Sequence, residues 1–293
     1  MTTGPGEVFD LGYQGYNGVR TNRWARRRAI WRDGIRISLG LGRSTGAKFA
    51  SWLLIGLALV PIVVLVVISA FLSPAEEVTE DFELPSYSSY YEWAIVPLGL
   101  FAAVVAPLLI CPDRRDGVLS LYASRPITPT DYVASRWAAF LTVAVTAAWL
   151  PEAILFTWNA LDASSPGSFL TDNWDVVPRF LAAGAVVAIL LTTLSLFAST
   201  FTTRRAYAAV GILAALFVGS AIGGIAEGNF SGAVSDALSL ASLPQALIDS
   251  VHWIFGDLRD RPLPGWVSAL WLAGLSIVLA GGLVRQTKQL VRG

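Results

Sequence analysis

Six stretches of this chain are each about as long as a lipid bilayer is thick and almost free of charge: Ala50–Leu72, Trp93–Cys111, Trp137–Trp158, Phe180–Phe201, Ala206–Ala226 and Pro264–Val284. A helix needs about 20 apolar residues to cross the hydrocarbon. In lipid only helices or closed barrels satisfy every backbone polar group. The expected fold is therefore an all-α integral membrane protein with six transmembrane helices. Trp52, Trp93, Trp137, Trp158, Trp174 and Trp266 stand at or near the ends of these stretches, where indole rings favour the headgroup layer. Composition agrees: 54% of the 293 residues are hydrophobic and 14% charged, against about 25% charged in an ordinary soluble domain.

Lys and Arg together number 21, as do Asp and Glu, so no overall basic field favours nucleic acid. A single cysteine, Cys111, and a single histidine, His252, leave no internal disulfide, thiolate cluster or histidine-based triad. The N-terminus lacks the basic-then-apolar order of a signal peptide, so no cleavage is expected there.

The basic residues are unevenly placed. Eighteen of the 21 fall in the N-terminal segment up to Lys48, between Pro112 and Arg136, at Arg204 and Arg205, and in the tail. Only Arg179, Arg259 and Arg261 fall on the opposite side, where Glu76, Glu77, Glu80, Asp81, Glu83 and Glu92 crowd the first loop. By the positive-inside rule both termini are expected in the cytoplasm. The layout is then a lead-in (1–22), a connecting segment (23–49), six spans within 50–284 and a tail (285–293).

Two segments are neither spans nor simple loops. Trp24, Trp31, Ile35 and Leu39 share one stripe at helical spacing, with Arg26, Arg32, Asp33 and Arg36 on a polar side. That pattern suits an amphipathic helix lying in the cytoplasmic interface against membrane lipid; a basic flank that merely sets topology is the alternative. Between spans five and six, "ALSLASLPQALIDSVHWIF" is apolar but interrupted by Pro244, which suits short re-entrant or outer helices.

The loop between spans two and three, "CPDRRDGVLSLYASRPITPTDYVASRW", is dense in charge. Asp113 and Asp116 open a short helix-compatible run, where carboxylates suit free N–H groups, and Arg125-Pro126 stops it. "TPTD" then restarts a helix, with Thr128 as cap, Pro129 in the first turn and Asp131 three residues after the cap. A short helix joined to two spans would transmit a push to both; a solvated loop explains the charges but not the paired stops and starts.

This loop resembles the cytoplasmic loop of type-2 ABC permeases, the membrane subunits of ATP-binding-cassette exporters. The matching positions are Asp113, Asp116, Gly117, Leu119, Leu121, Ser124, Arg125, Pro126, Tyr132 and Arg136. "FDLGYQGYNGVR" is similar to the lead-in of actinobacterial members. The resemblance implies six spans, an N-terminal interfacial helix and a coupling helix over Asp113–Pro126, including Arg114 and Arg115, seated on a separate ATPase. It also implies two ATPase subunits, a second permease subunit of the same or a related chain, and residence in a bacterial plasma membrane. ATP and Mg would be held by the ATPase and no cofactor by this chain, which has no GxxxxGK[ST] phosphate loop and is not expected to be an enzyme. A membrane scaffold recruiting a cytoplasmic partner to the same loop is the alternative.

Glu152 is the only charge inside any of the six stretches. Intramembrane acids usually face the bundle interior or a cavity, so it is a candidate for a translocation path or a subunit contact, or else a structural carboxylate. Gly219, Gly223 and Gly224 permit close helix contact, within one chain or between two.

Overall fold

The computed structural model describes residues 22–42, 45–72, 86–118, 127–230, 232–257 and 263–292. Among these the chain is helical throughout, with no strand. The helices are α1 (Arg23–Ser38), α2 (Thr45–Leu72), α3 (Tyr87–Val105), α4 (Pro107–Arg115), α5 (Pro129–Asp162), α6 (Pro166–Asp172), α7 (Val176–Ser199), α8 (Arg205–Asn229), α9 (Ala233–Ser239), α10 (Leu243–Phe255) and α11 (Gly265–Arg292).

Among the described residues, five helical stretches are long and apolar enough to cross a membrane: Tyr87–Arg115, Pro129–Asp162, Val176–Ser199, Arg205–Ile225 and Gly265–Leu290. The first apolar segment forms α2, whose described apolar part is the shorter Lys48–Val64. Ile277 is 72% exposed and Val278 70%, values that water would oppose and lipid favours. The protein is a multi-pass membrane protein.

The bundle has a centre and a rim. In Tyr87–Arg115, 78% of the apolar window is buried, against 17% in Gly265–Leu290. Helix α3 packs against α2, α5, α7, α8 and α10, with Phe101 stacked on Phe140 of α5 at 5.6 Å. The outward faces of α2, α8 and α11 carry the exposed valines, leucines and isoleucines.

Local sequence sets the helix ends. Helix α5 begins with the full capping box: the Thr128 hydroxyl accepts from the Asp131 N–H, the Asp131 carboxylate accepts from the Thr128 N–H, and Pro129 fills the first turn. At 34 residues it is about 50 Å long, well over the ~30 Å hydrocarbon, so it stands proud of the bilayer. Pro244 starts α10 rather than interrupting it, because its missing N–H costs nothing in a first turn. That helix ends at Gly256, whose φ of 85° makes the left-handed cap. Its buried face is inserted among α3, α7, α8 and α11.

Two helix expectations change. The second apolar stretch does not stop at Cys111: after a joint at Ala106–Pro107 the helix runs on through Arg115 and ends at Asp116 and Gly117, where φ is 66°. Asp113 therefore lies in the last turns of this helix and Asp116 at its C-cap; Val118 is again helical, and the run it would open lies outside the described residues. Arg114 and Arg115 occupy the last turn, where the helix dipole favours positive charge. In α1 the buried seam is Ile30, Gly34 and Ser38, one residue off the stripe of Trp24, Trp31, Ile35 and Leu39. Trp24 is 70% exposed, Trp31 donates its indole N–H to Thr142 Oγ1 at 3.2 Å, and Ile35 and Leu39 pack at the core's edge. The seam moves because α1 lies on α5, its most extensive neighbour, and Gly34 lets the backbones meet: a Cβ there would sit 2.5 Å from the Ala139 Cβ.

Candidate functional site

The arginine-rich end of the bundle holds a polar network that joins four helices. Its first centre is Asp131, on the opening turn of α5 and 1% exposed. Arg23 binds it through Nε at 2.7 Å and Nη2 at 3.0 Å, and Arg27 adds a further short contact. One carboxylate thus caps its own helix and fastens α1 to it.

The second centre is Arg136, one and a half turns further along α5 and 3% exposed. Its Nη1 donates to Asp33 Oδ2 at 2.8 Å on α1, and its Nη2 to Asp113 Oδ2 at 2.9 Å on α4. The Tyr132 hydroxyl donates to the same Asp113 oxygen at 2.7 Å, and its ring lies 5.6 Å from the Arg136 guanidinium carbon. The planar fork of an arginine can hold two carboxylates at fixed angles, which a lysine cannot. Asp113 is thereby locked to α5 and, through Arg136, to α1.

The other side of α4 is tied to α7. Arg114 donates to the Thr200 carbonyl and the Cys111 thiol to the Ser199 carbonyl at 3.6 Å, the last carbonyls of that helix being free to accept. A force on the end of α4 therefore reaches α1, α5 and α7 through direct bonds.

Arg115, Asp116 and Gly117 behave differently. Arg115 Nε donates to Asp116 Oδ1 at 2.9 Å, and both side chains are more than half exposed. The hydrogen bond from Arg115 holds the Asp116 carboxyl below the usual carboxylate range, so it stays ionised in the cell. The block that reads as one coupling unit in sequence has two halves: Asp113 and Arg114 turned into the bundle, Arg115 to Gly117 turned out. Leu119, Leu121, Ser124, Arg125 and Pro126 lie outside the described residues.

At the opposite end a second cluster gathers around α10. His252 Nε2 lies 3.1 Å from Glu92 Oε1 and its Nδ1 3.7 Å from Asp257 Oδ2, while Arg179 bonds Asp175 at 2.9 Å and the Phe255 carbonyl. Among the described residues no group of His, Cys, Asp and Glu has the arrangement to hold a metal ion. Glu152 lies between the two ends, wholly buried among the chain's own helices, with no group of the described residues hydrogen-bonded to either oxygen.

Asp113, Tyr132 and Arg136, singled out by sequence, come together here. Asp33 reads as part of the polar side of the first helix, and Arg23 and Arg27 only as part of the basic N-terminal segment; nothing in their spacing marks them as partners of residues roughly a hundred positions away. Asp131 was legible as a cap but not as an ion-pair hub. No family model matches this chain, and no curated protein matches it significantly.

Proposed function

We propose that the chain is the permease subunit of an ATP-binding-cassette exporter, with α2 as the first of six spans and both termini in the cytoplasm of a bacterial plasma membrane. The observation that carries this reading is the locking of Asp113 onto Arg136. It makes the exposed Arg115–Gly117 corner a rigid handle on α1, α5 and α7. A separate ATPase, one of two, seats on that corner and on the segment after it. When ATP with Mg draws the ATPases together, the handle moves, and the bundle rearranges with a second permease subunit to pass substrate outward. The lipid-exposed faces of α2, α8 and α11 offer the apolar surface on which two such subunits can pair. Helix α1 lies at the cytoplasmic face, where Trp24 reaches lipid and its outward arginines reach anionic headgroups.

The test is to purify the tagged chain from native membranes and measure ATP hydrolysis in the eluate. The unaltered chain is expected to bring an ATPase with it. The double variant Arg115→Glu/Asp116→Arg keeps the local ion pair but inverts the charges offered to a partner, and should lower the co-purified ATPase roughly tenfold, the loss of one good polar contact. Unchanged association and turnover would remove the handle from the mechanism. A partner that binds this corner without hydrolysing ATP would indicate a scaffold.

A further inference from the structure

Glu152 is the one acidic side chain placed within an apolar segment that the arginine-end network does not use. It lies six residues before Trp158 on α5, about 9 Å below that ring along the helix axis, and is 0% exposed. Among the described residues none gives a hydrogen bond to either oxygen. The titratable groups in electrostatic reach are all phenols of α3: Tyr87, Tyr90 and Tyr91. Tyr90 donates its hydroxyl to the Ala58 carbonyl at 3.2 Å and Tyr91 to the Phe180 carbonyl at 3.5 Å, so these two protons are directed elsewhere. Glu92, the other acid of α3, is exposed and pairs with His252. Helices α2, α7 and α11, also packed on α5, carry no charge within their apolar segments; the charges of α1 that bond α5 do so at Asp131 and Arg136, in the network at its other end, and Asp172 of α6 is exposed.

We propose that Glu152 is an intramembrane proton-binding site, neutral in the packed bundle and exchanging its proton when the seam between α3 and α5 opens at the end away from the arginine network. Three observations select a proton over other ligands. An ionised carboxylate buried in hydrocarbon without a partner is heavily disfavoured, so the group holds a hydrogen ion. A metal cation demands several oxygen donors, and the carboxyl stands without them. An organic cation needs space beside the carboxyl, and the side chain is closed over on every side. The exchange route follows from what holds the seam shut: Asn159 Nδ2, two turns along α5 from Glu152, donates to the Tyr87 hydroxyl at 3.0 Å. This bond is the polar clasp between the two helices nearest the acid. The inference depends on membrane insertion and not on the exporter reading.

Infrared spectroscopy of the full chain in lipid nanodiscs tests it. The unaltered chain should show a carboxylic-acid C=O band at neutral pH that disappears in Glu152→Gln, shifts on transfer to deuterium oxide and fades as pH is raised. Carbon-13 glutamate in the unaltered chain assigns the same band should that variant fold poorly, because every other glutamate lies outside the six apolar segments. Asn159→Ala removes the clasp and should speed deuterium exchange of this band about fivefold, the factor that one hydrogen bond supplies. Absence of a band assignable to Glu152 would show an ionised group and overturn the site. A band indifferent to both pH and deuterium would show a sealed structural acid and overturn it equally. Exchange unchanged in Asn159→Ala would overturn the route through the α3–α5 seam. None of these outcomes depends on an ATPase, so exporter function and proton binding fail independently.

Discussion

Arg136→Ala is expected to lower the stability of the folded chain by about 3 kcal/mol, the low end of what breaking a buried ion pair costs, and to loosen the Asp33 end of α1 on α5, while Arg23 and Arg27 still hold its start through Asp131. The cost arises on one side of the bond more than the other. Asp33 is more than half exposed and simply returns to water. Asp113 is largely enclosed, keeps only the Tyr132 hydroxyl, and must hold its charge in a poorly solvated site. Arg136→Lys should recover part of the loss, since an ammonium reaches one carboxylate but cannot span both. A double-mutant cycle with Asp113→Asn in detergent unfolding measures the pair itself; a coupling below about 0.5 kcal/mol would mean that this pair does not lock α4 to α5. Tryptic cleavage within α1, at Arg32 or Arg36, gives an independent reading and should quicken in Arg136→Ala but not in Arg115→Ala, whose side chain faces outward.

Arg136 also shows where sequence reading reaches its limit. Its position near a helix start, and the Thr128–Pro129–Asp131 punctuation before it, are local patterns with local causes, and α5 begins where they say. The apolar segments are equally legible, because bilayer thickness imposes a length that composition cannot disguise. What escaped was pairing across the chain. Arg23 and Arg27 meet Asp131 over separations of 108 and 104 residues, and no periodicity encodes that. Reading the helix as ending at Cys111 failed for a related reason. Charge beginning at Asp113 resembles the end of a span, but a helix can leave the membrane and continue, and Arg114 and Arg115 favour the C-terminal turn they occupy. The α1 seam shifted by one residue because a glycine, invisible to any hydrophobic count, decided which face could approach α5. Glu152 was legible as an anomaly; only the structure shows that its surroundings leave it without a partner.

Gly219→Ala should be the other severely disruptive substitution, and it resolves which way the glycines of α8 face. A Cβ at Gly219 would sit 2.0 Å from the Ala241 carbonyl oxygen, and one at Gly223 would sit 3.1 Å from the Ser242 Cβ, whereas nothing lies within 4 Å of a Cβ at Gly224. The first two therefore admit the link between α9 and α10, a contact inside one chain. Backbone cannot swing aside as a side chain can, so adding one methyl must displace α10, whose Ser242 hydroxyl is bonded to Ser220 at 3.2 Å. Overpacking of this kind costs typically 1–3 kcal/mol, and the upper part of that range is expected for Gly219→Ala. Gly224→Ala should be neutral or slightly stabilising, since alanine is the better helix former by about 1 kcal/mol. Paired unfolding curves of the two variants in the same detergent provide the comparison. If Gly224→Ala were the harmful one, and Gly219→Ala mild, the close face of α8 would belong to a neighbouring subunit and not to α10.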